Sequence, residues 1–375
     1  MAHRQVAEAP VSPADSISAS VAPPSLGEAT AVWLRIGCLG FGGPAGQIAL
    51  MHRTLVEEKR WVDEGRFLHA LNFCMLLPGP EAQQLATYCG WLLHGSRGGV
   101  IAGTLFILPG LVLMLVLSGL YAVFHQTAWL DSIFFGLKAA VLAIVVDALV
   151  RIGRRALRSV GAIVIAAVAF LAIFTLGVPF PLIVLTAAVI GALVAMRSGP
   201  AQAAPAEPEA RLVEAARPVR VLLVWGGLWG APVAAAFVFG AGTIYPALGV
   251  YFSQMAVVTF GGAYAVLAYV AQTVVTTYGW LDPAQMVDGL ALAETTPGPL
   301  ILVLTFVGFL AAYGAPGPLP PLAAGALGAL LTTWVTFVPS FLGSCSAPRM
   351  SNACGPTASC PARWPRSRRR SSALS

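Results

Sequence analysis

Apolar residues fill this chain in long blocks, and polar residues are confined to short gaps between them. Blocks at 98–123, 128–150, 159–176, 179–196, 220–240 and 320–342 are each long enough to cross a bilayer as a helix, which takes about 17–25 residues. Four further blocks, 31–50, 67–93, 250–275 and 284–313, are equally apolar but carry a Gly/Pro interruption. Proline removes an N–H and stops the helix before it. Glycine frees the backbone to turn. The pattern predicts unbroken helices in the first six blocks and pairs of shorter helices in the other four.

The interruptions recur at a constant offset of 219 residues. Phe41-Gly42-Gly43 returns as Phe260-Gly261-Gly262, Trp61-Val62-Asp63 as Trp280-Leu281-Asp282, and Pro78-Gly79-Pro80 as Pro297-Gly298-Pro299. Residues 41–80 and 260–299 therefore keep one spacing in two copies. Broken apolar segments at matching places in two halves point to the binding site of a membrane transporter.

Basic residues orient the copies. The connection 51–66 holds Arg53, Lys59, Arg60 and Arg66, whereas its counterpart 270–285 holds no Lys or Arg. Cytoplasmic loops are enriched in these residues, so the copies should face opposite sides. If each broken block returns to the face it entered, all basic loops fall inside, including Arg97 and the cluster Arg151–Arg158. The loops near 124–127, 177–180 and 241–249, which lack Lys and Arg, then fall outside. The expected fold is an all-α polytopic membrane protein with two inverted-topology repeats, six full spans and four re-entrant or paired half-helices. Its expected divisions are a disordered tail at 1–27, a first repeat at 28–197, an Ala/Pro/Glu-rich linker at 198–219, a second repeat at 220–343 and a basic tail at 344–375.

Composition agrees. The chain is 57% hydrophobic and 10% charged, with mean hydropathy +0.79; a soluble domain carries about 25% charged residues. The net charge of +6 is misleading, because six Arg and no acidic residue lie in 344–375. The remainder is neutral, which argues against a nucleic-acid partner. Apolar sequence stops after Leu342, and the Ser/Ala/Pro/Cys/Arg stretch that follows reads either as a frameshifted end or as a basic tail near anionic lipid. The cysteines show no metal spacing, and the scattered histidines form no hydrolase grouping. Neither a metal nor a cofactor is expected, nor is an enzymatic activity. A homodimer is left open.

Helix breaks have their own chemistry. After each Pro-Gly-Pro a new helix starts with unpaired N–H groups and the positive end of a dipole, which is an anion site. Pro78, Gly79, Pro80, Pro297, Gly298 and Pro299 are candidate binding residues on this ground. So are Gly42, Gly43, Pro44, Gly261 and Gly262, where glycine lets a ligand approach the backbone. The alternative is that these residues only kink or pack helices. Lys138 lies deep in its block, either to supply positive charge to a dianion or to pair with an acid on another helix. Arg35 either faces substrate or anchors its helix end. Glu81 either caps the helix after the first break or belongs to the site. Glu294 either carries a coupling proton or has a structural role.

The motifs Phe41-Gly42-Gly43-Pro44-Ala45-Gly46-Gln47, Lys59-Arg60-Trp61, Leu77-Pro78-Gly79-Pro80-Glu81 and Leu108-Pro109-Gly110, echoed by Phe260-Gly261-Gly262, Thr296-Pro297-Gly298-Pro299 and Phe337-Val338-Pro339, resemble the chromate ion transporter family in its two-domain form. The resemblance covers roughly residues 28–343. It implies an inner-membrane protein that exports chromate, with sulfate as the structural mimic, and it implies further apolar sequence beyond Phe341, where this chain departs.

Overall fold

The structure, a computed structural model, describes residues 24–124, 127–157, 159–197, 216–240, 242–259 and 263–345. Among these residues every regular element is helical. The first half contains α1 (Leu26–Leu39), α2 (Gly43–His52), α3 (Glu64–Leu76), α4 (Glu81–Phe124), α5 (Ala128–Ala156), α6 (Val160–Leu176) and α7 (Phe180–Arg197). The second contains α8 (Ala216–Phe239), α9 (Tyr245–Val258), α10 (Ala263–Gln272), α11 (Pro283–Thr295), α12 (Val303–Gly314) and α13 (Pro321–Cys345). Each of the four interrupted blocks is thus a pair of helices. Helices α1, α3, α9 and α11 have 13 or 14 residues, about 20 Å at the helical rise. That is short of a hydrocarbon core of about 30 Å. Among the described residues, α4 and α13 are long and apolar enough to cross a membrane. The expected end of ordered sequence at 343 falls just inside α13, which continues to Cys345.

The blocks expected at 67–93 and 98–123 are separated where the pattern places the gap between them. Helix α4 folds back on itself at His94 (φ −134°) and Gly95 (φ +63°, ψ −154°). Its two arms lie antiparallel and nearly touch through glycine: a Cβ on Gly90 would sit 2.5 Å from the Gly98 carbonyl oxygen. Helices α12 and α13 pack the same way, since a Cβ on Gly308 would sit 2.8 Å from the Gly328 oxygen. Small residues let backbones approach where lipid offers no hydrophobic drive for association.

Both copies also share a local irregularity that the hydrophobic pattern does not show. A π-helical segment follows α2 at Arg53–Glu58 and α10 at Thr273–Thr277. Lys59 N–H donates to Thr54 O and Tyr278 N–H to Thr273 O, each at 3.0 Å. Asp63 and Asp282 then cap α3 and α11. Around the first connection the surface is ionic, with Arg53–Glu58 at 2.9 Å and Lys59–Glu28 at 3.1 Å. Around the second it is aromatic, with Tyr278 stacked on Trp280 at 4.2 Å.

Two helix-interior prolines are accommodated by exchange between α8 and α13. Pro232 cannot donate to Leu228 O, nor Pro339 to Val335 O. The Trp334 indole N–H donates to Leu228 O at 2.8 Å, and the Trp229 indole N–H donates to Val335 O at 3.1 Å. Each helix thus satisfies the carbonyl that the other's proline frees, which an apolar medium requires.

Two packed cores result. One gathers Trp33, Met51, Leu55, Phe67 and Phe106; the larger gathers Met114, Phe252, Phe306, Val335 and their neighbours. The second arm of α4 runs from the first core into the second. Outside them, α6 buries no residue, and Phe174 is 79% exposed, as suits a helix whose solvent is lipid.

Candidate functional site

The two Pro-Gly-Pro breaks come together in the described fold. Leu77 and Thr296 leave their helices in extended conformation. Gly79 and Gly298 then take φ of +118° and +110°, a region that favours glycine. Gly79 N–H donates to Thr259 O at 2.7 Å, and Gly298 N–H donates to Gly40 O at 2.9 Å. Gly79 and Gly298 correspond at the repeat offset of 219, and so do Gly40 and Thr259. Each copy's Pro-Gly-Pro is therefore bonded to the residue that precedes the other copy's Phe-Gly-Gly.

Neither glycine has room for a side chain. A Cβ on Gly298 would lie 2.8 Å from a Leu302 methyl and 3.4 Å from Gly110 Cα, and one on Gly79 would strike the Ser340 hydroxyl. Gly110 follows Pro109 on α4, and Ser340 follows Pro339 on α13. The exchange between copies thus extends to the second arm of each helical hairpin.

Gln47 holds the crossing together. It is fully buried, and its Nε2 donates to Gly298 O at 2.6 Å and Gly40 O at 3.1 Å. Those two carbonyls fix the orientation of the amide, and its Oε1 has no donor among the described residues. Gln84 Nε2 donates to Pro78 O at 2.6 Å, closing the first break onto the first turn of α4. The repeat counterparts of Gln47 and Gln84 are Val266 and Val303, so the polar bracing comes from the first copy alone.

A small cleft opens here, lined by Pro44, Gln47, Gly79, Pro80, Glu81, Ala82, Pro299, Leu300 and Ile301. Three helix starts converge on it. Helix α2 begins with Gly42 (φ +84°), Gly43 (φ +67°) and Pro44. Helix α4 begins at Glu81. The turn Leu300–Leu302 leads into α12. The first N–H groups of a helix have no intrahelical partner, and no Lys or Arg lines the cleft. Its attraction for an anion would come from backbone donors and dipoles.

The structure thus brings Gly42, Gly43, Pro44, Pro78, Gly79, Pro80, Glu81, Pro297, Gly298 and Pro299 to one place. Gly261 and Gly262 lie outside the described residues. Arg35 is exposed on α1 and does not line the cleft. Glu294 sits half-buried in the last turn of α11 and does not line it either. Lys138 takes the second of its two expected roles. Its Nζ lies 2.9 Å from Asp288 Oδ1, and Asp288 is eight residues before Thr296, about 12 Å along α11 from the second break. The sequence reading passed over Gln47 and Asp288. Both were visible as polar residues inside apolar blocks, but nothing along the chain announces their partners.

A family model described as chromate transporter matches residues 27–192 and 246–353. A chromate transport protein of Pseudomonas aeruginosa is 36% identical over 343 residues, covering 87% of this chain and 74% of that protein. One of Cupriavidus metallidurans is 30% identical over 318 residues, covering 83% and 71%. A probable chromate transport protein of Synechococcus elongatus is 30% identical over 295 residues, covering 78% and 71%. No solved structure matches the chain.

Proposed function

The chain belongs to the chromate transporter family, and on that premise we propose that it carries chromate outward across a bacterial plasma membrane and so confers chromate resistance. The observation that carries this reading is the cleft where three helix starts meet at the crossed Pro-Gly-Pro breaks. A tetrahedral dianion spreads its charge over all its oxygens, and convergent N–H donors suit it without a fixed cation. Glu81 stands at the start of α4 and stabilises the empty site through the helix dipole. Gln47 Oε1, an acceptor, suits a water that the anion retains.

An inside-negative potential favours expulsion of an anion by about 2.3 kcal/mol per charge per 100 mV, so outward movement needs no nucleotide. The sequence has no phosphate-binding Gly-Lys-Ser/Thr motif. Alternating access would proceed by rocking of two inverted copies about the cleft. The reciprocal bonds Gly79–Thr259 and Gly298–Gly40 support that symmetry, and so do the ionic and aromatic connections at equivalent places.

The test is chromate accumulation in chromate-sensitive cells expressing the full chain. Cells with the chain should accumulate less chromate, and a Pro78→Ala/Pro80→Ala variant present at equal level in the membrane should lose the effect. Sulfate in excess should compete, because backbone donors read tetrahedral charge rather than the central atom. Equal accumulation with and without the chain would refute chromate export.

A further inference from the structure

Asp288 is the most enclosed acidic side chain among the described residues for which an ion pair is formed, with 7% of it exposed. It lies on α11 amid apolar neighbours. Its Oδ1 faces Lys138 Nζ of α5 at 2.9 Å, and its Oδ2 accepts from the Tyr121 hydroxyl of α4 at 2.9 Å. The Tyr121 ring is held edge-on by Phe134 and Phe306, both at 5.2 Å, and the Phe306 ring also presses on the neighbouring Gly289. The carboxylate is therefore fixed in place by three helices, one of them from the second copy and two from the first. Of the elements packed on α11, α4 and α5 offer it Tyr121 and Lys138. Helix α12 offers Phe306, and the turn Leu300–Leu302 is apolar; the ionisable Tyr313 of α12 lies about two turns beyond Phe306.

Resting on the transport reading above, we propose that Asp288 is a proton-binding site of the transport cycle, with Lys138 as the internal cation that balances it when ionised. The two partners are unequal. Asp288 cannot move to water, whereas 36% of the Lys138 side chain is exposed on a flexible stem. Separating the pair in place would leave a bare buried charge, which is strongly unfavourable. A proton added to the carboxylate lowers that obstacle: the acid becomes neutral, and the ion pair weakens to a hydrogen bond that the Lys138 ammonium still donates. Tyr121 continues to donate to Oδ2 in both states. Helix α5 packs chiefly on α11, so the state of this pair sets how firmly α5 is joined to the second copy. The protonation of one residue is in this way coupled to movement between copies, at about 12 Å along α11 from the second break.

The test uses the full chain reconstituted in lipid vesicles with a pH difference of ~1 unit across the membrane. The steady-state chromate ratio of the native chain should shift about tenfold per coupled proton. In Asp288→Asn the ratio should no longer respond to pH, while Glu294→Gln should respond as the native chain does. The double variant Lys138→Met/Asp288→Asn, which leaves no bare charge, should match Asp288→Asn and exclude misfolding as the cause. An infrared pH titration of the same vesicles should show a protonated-carboxyl band that Asp288→Asn lacks. A pH response retained in Asp288→Asn, a native ratio indifferent to pH, or an infrared band unchanged by the substitution would each overturn the proposal. If the native chain moves no chromate, the transport reading fails by itself, and the infrared band alone then decides whether Asp288 binds a proton.

Discussion

At the scale of single residues, the site depends on two glycines whose conformation and surroundings both exclude a side chain. Gly298 combines φ of +110° with a Leu302 methyl at overlap distance and Gly110 in contact. Gly298→Ala should cost about 1–3 kcal/mol in backbone strain alone, with steric overlap added. Gly136 on α5 provides the contrast, since a Cβ there meets nothing within 4 Å in an ordinary helical position. Gly136→Ala should stabilise by about 0.4–1 kcal/mol. Thermal unfolding in detergent should therefore move in opposite directions for the two variants, and equal shifts would contradict the packing described at the crossing. These glycines were legible in the sequence because a constraint on the backbone leaves a mark that composition cannot hide. Asp288 and Lys138 were legible only as polar residues out of place. Their pairing joins positions 150 residues apart, and no local rule encodes it.

At the scale of elements, breaks were easier to read than joins. Pro-Gly-Pro marked where α3 and α11 end, and the structure ends them there. The reversal inside α4 was legible as the short gap between the blocks 67–93 and 98–123, and the structure turns there at His94 and Gly95. The π-helical segments were hidden, since they change the winding of the backbone and not its hydrophobic period. The proline–tryptophan exchange between α8 and α13 shows how a local defect is corrected by a neighbour, and it can be measured. Trp229→Phe removes the donor to Val335 O and should destabilise by about 0.6–1.7 kcal/mol, the range for hydrogen bonds between membrane helices. In a Pro339→Ala background the residue at 339 regains its own N–H for that carbonyl. The same tryptophan change should then cost little. A double-mutant cycle on unfolding in mild denaturing detergent reads the difference. Additive effects would mean that the indole bond and the proline are independent.

At the scale of the whole molecule, the question is which side of the membrane each copy faces. The two copies share a spacing, a π-helical segment, an aspartate cap and a reciprocal bond at the crossing, yet their equivalent connections differ in chemistry. The first carries Arg53 and Lys59 in ion pairs with Glu58 and Glu28. The second carries Tyr278 and Trp280 in a stack. Basic loops stay in the cytoplasm, and Tyr and Trp collect at either membrane interface. If the copies were parallel, these connections would share one face and nothing would drive their chemistry apart. In an inverted arrangement each has the composition its own face favours. Gly65 and Ala284 occupy equivalent exposed places in the first turns of α3 and α11, which makes them matched reporters. With the native cysteines replaced, Gly65→Cys should react with an impermeant thiol reagent only after cells are opened. Ala284→Cys should react in intact cells whose outer barrier admits the reagent. Labelling of both from one side would make the copies parallel, and the cleft would then need another route to alternate access than the rocking of inverted halves.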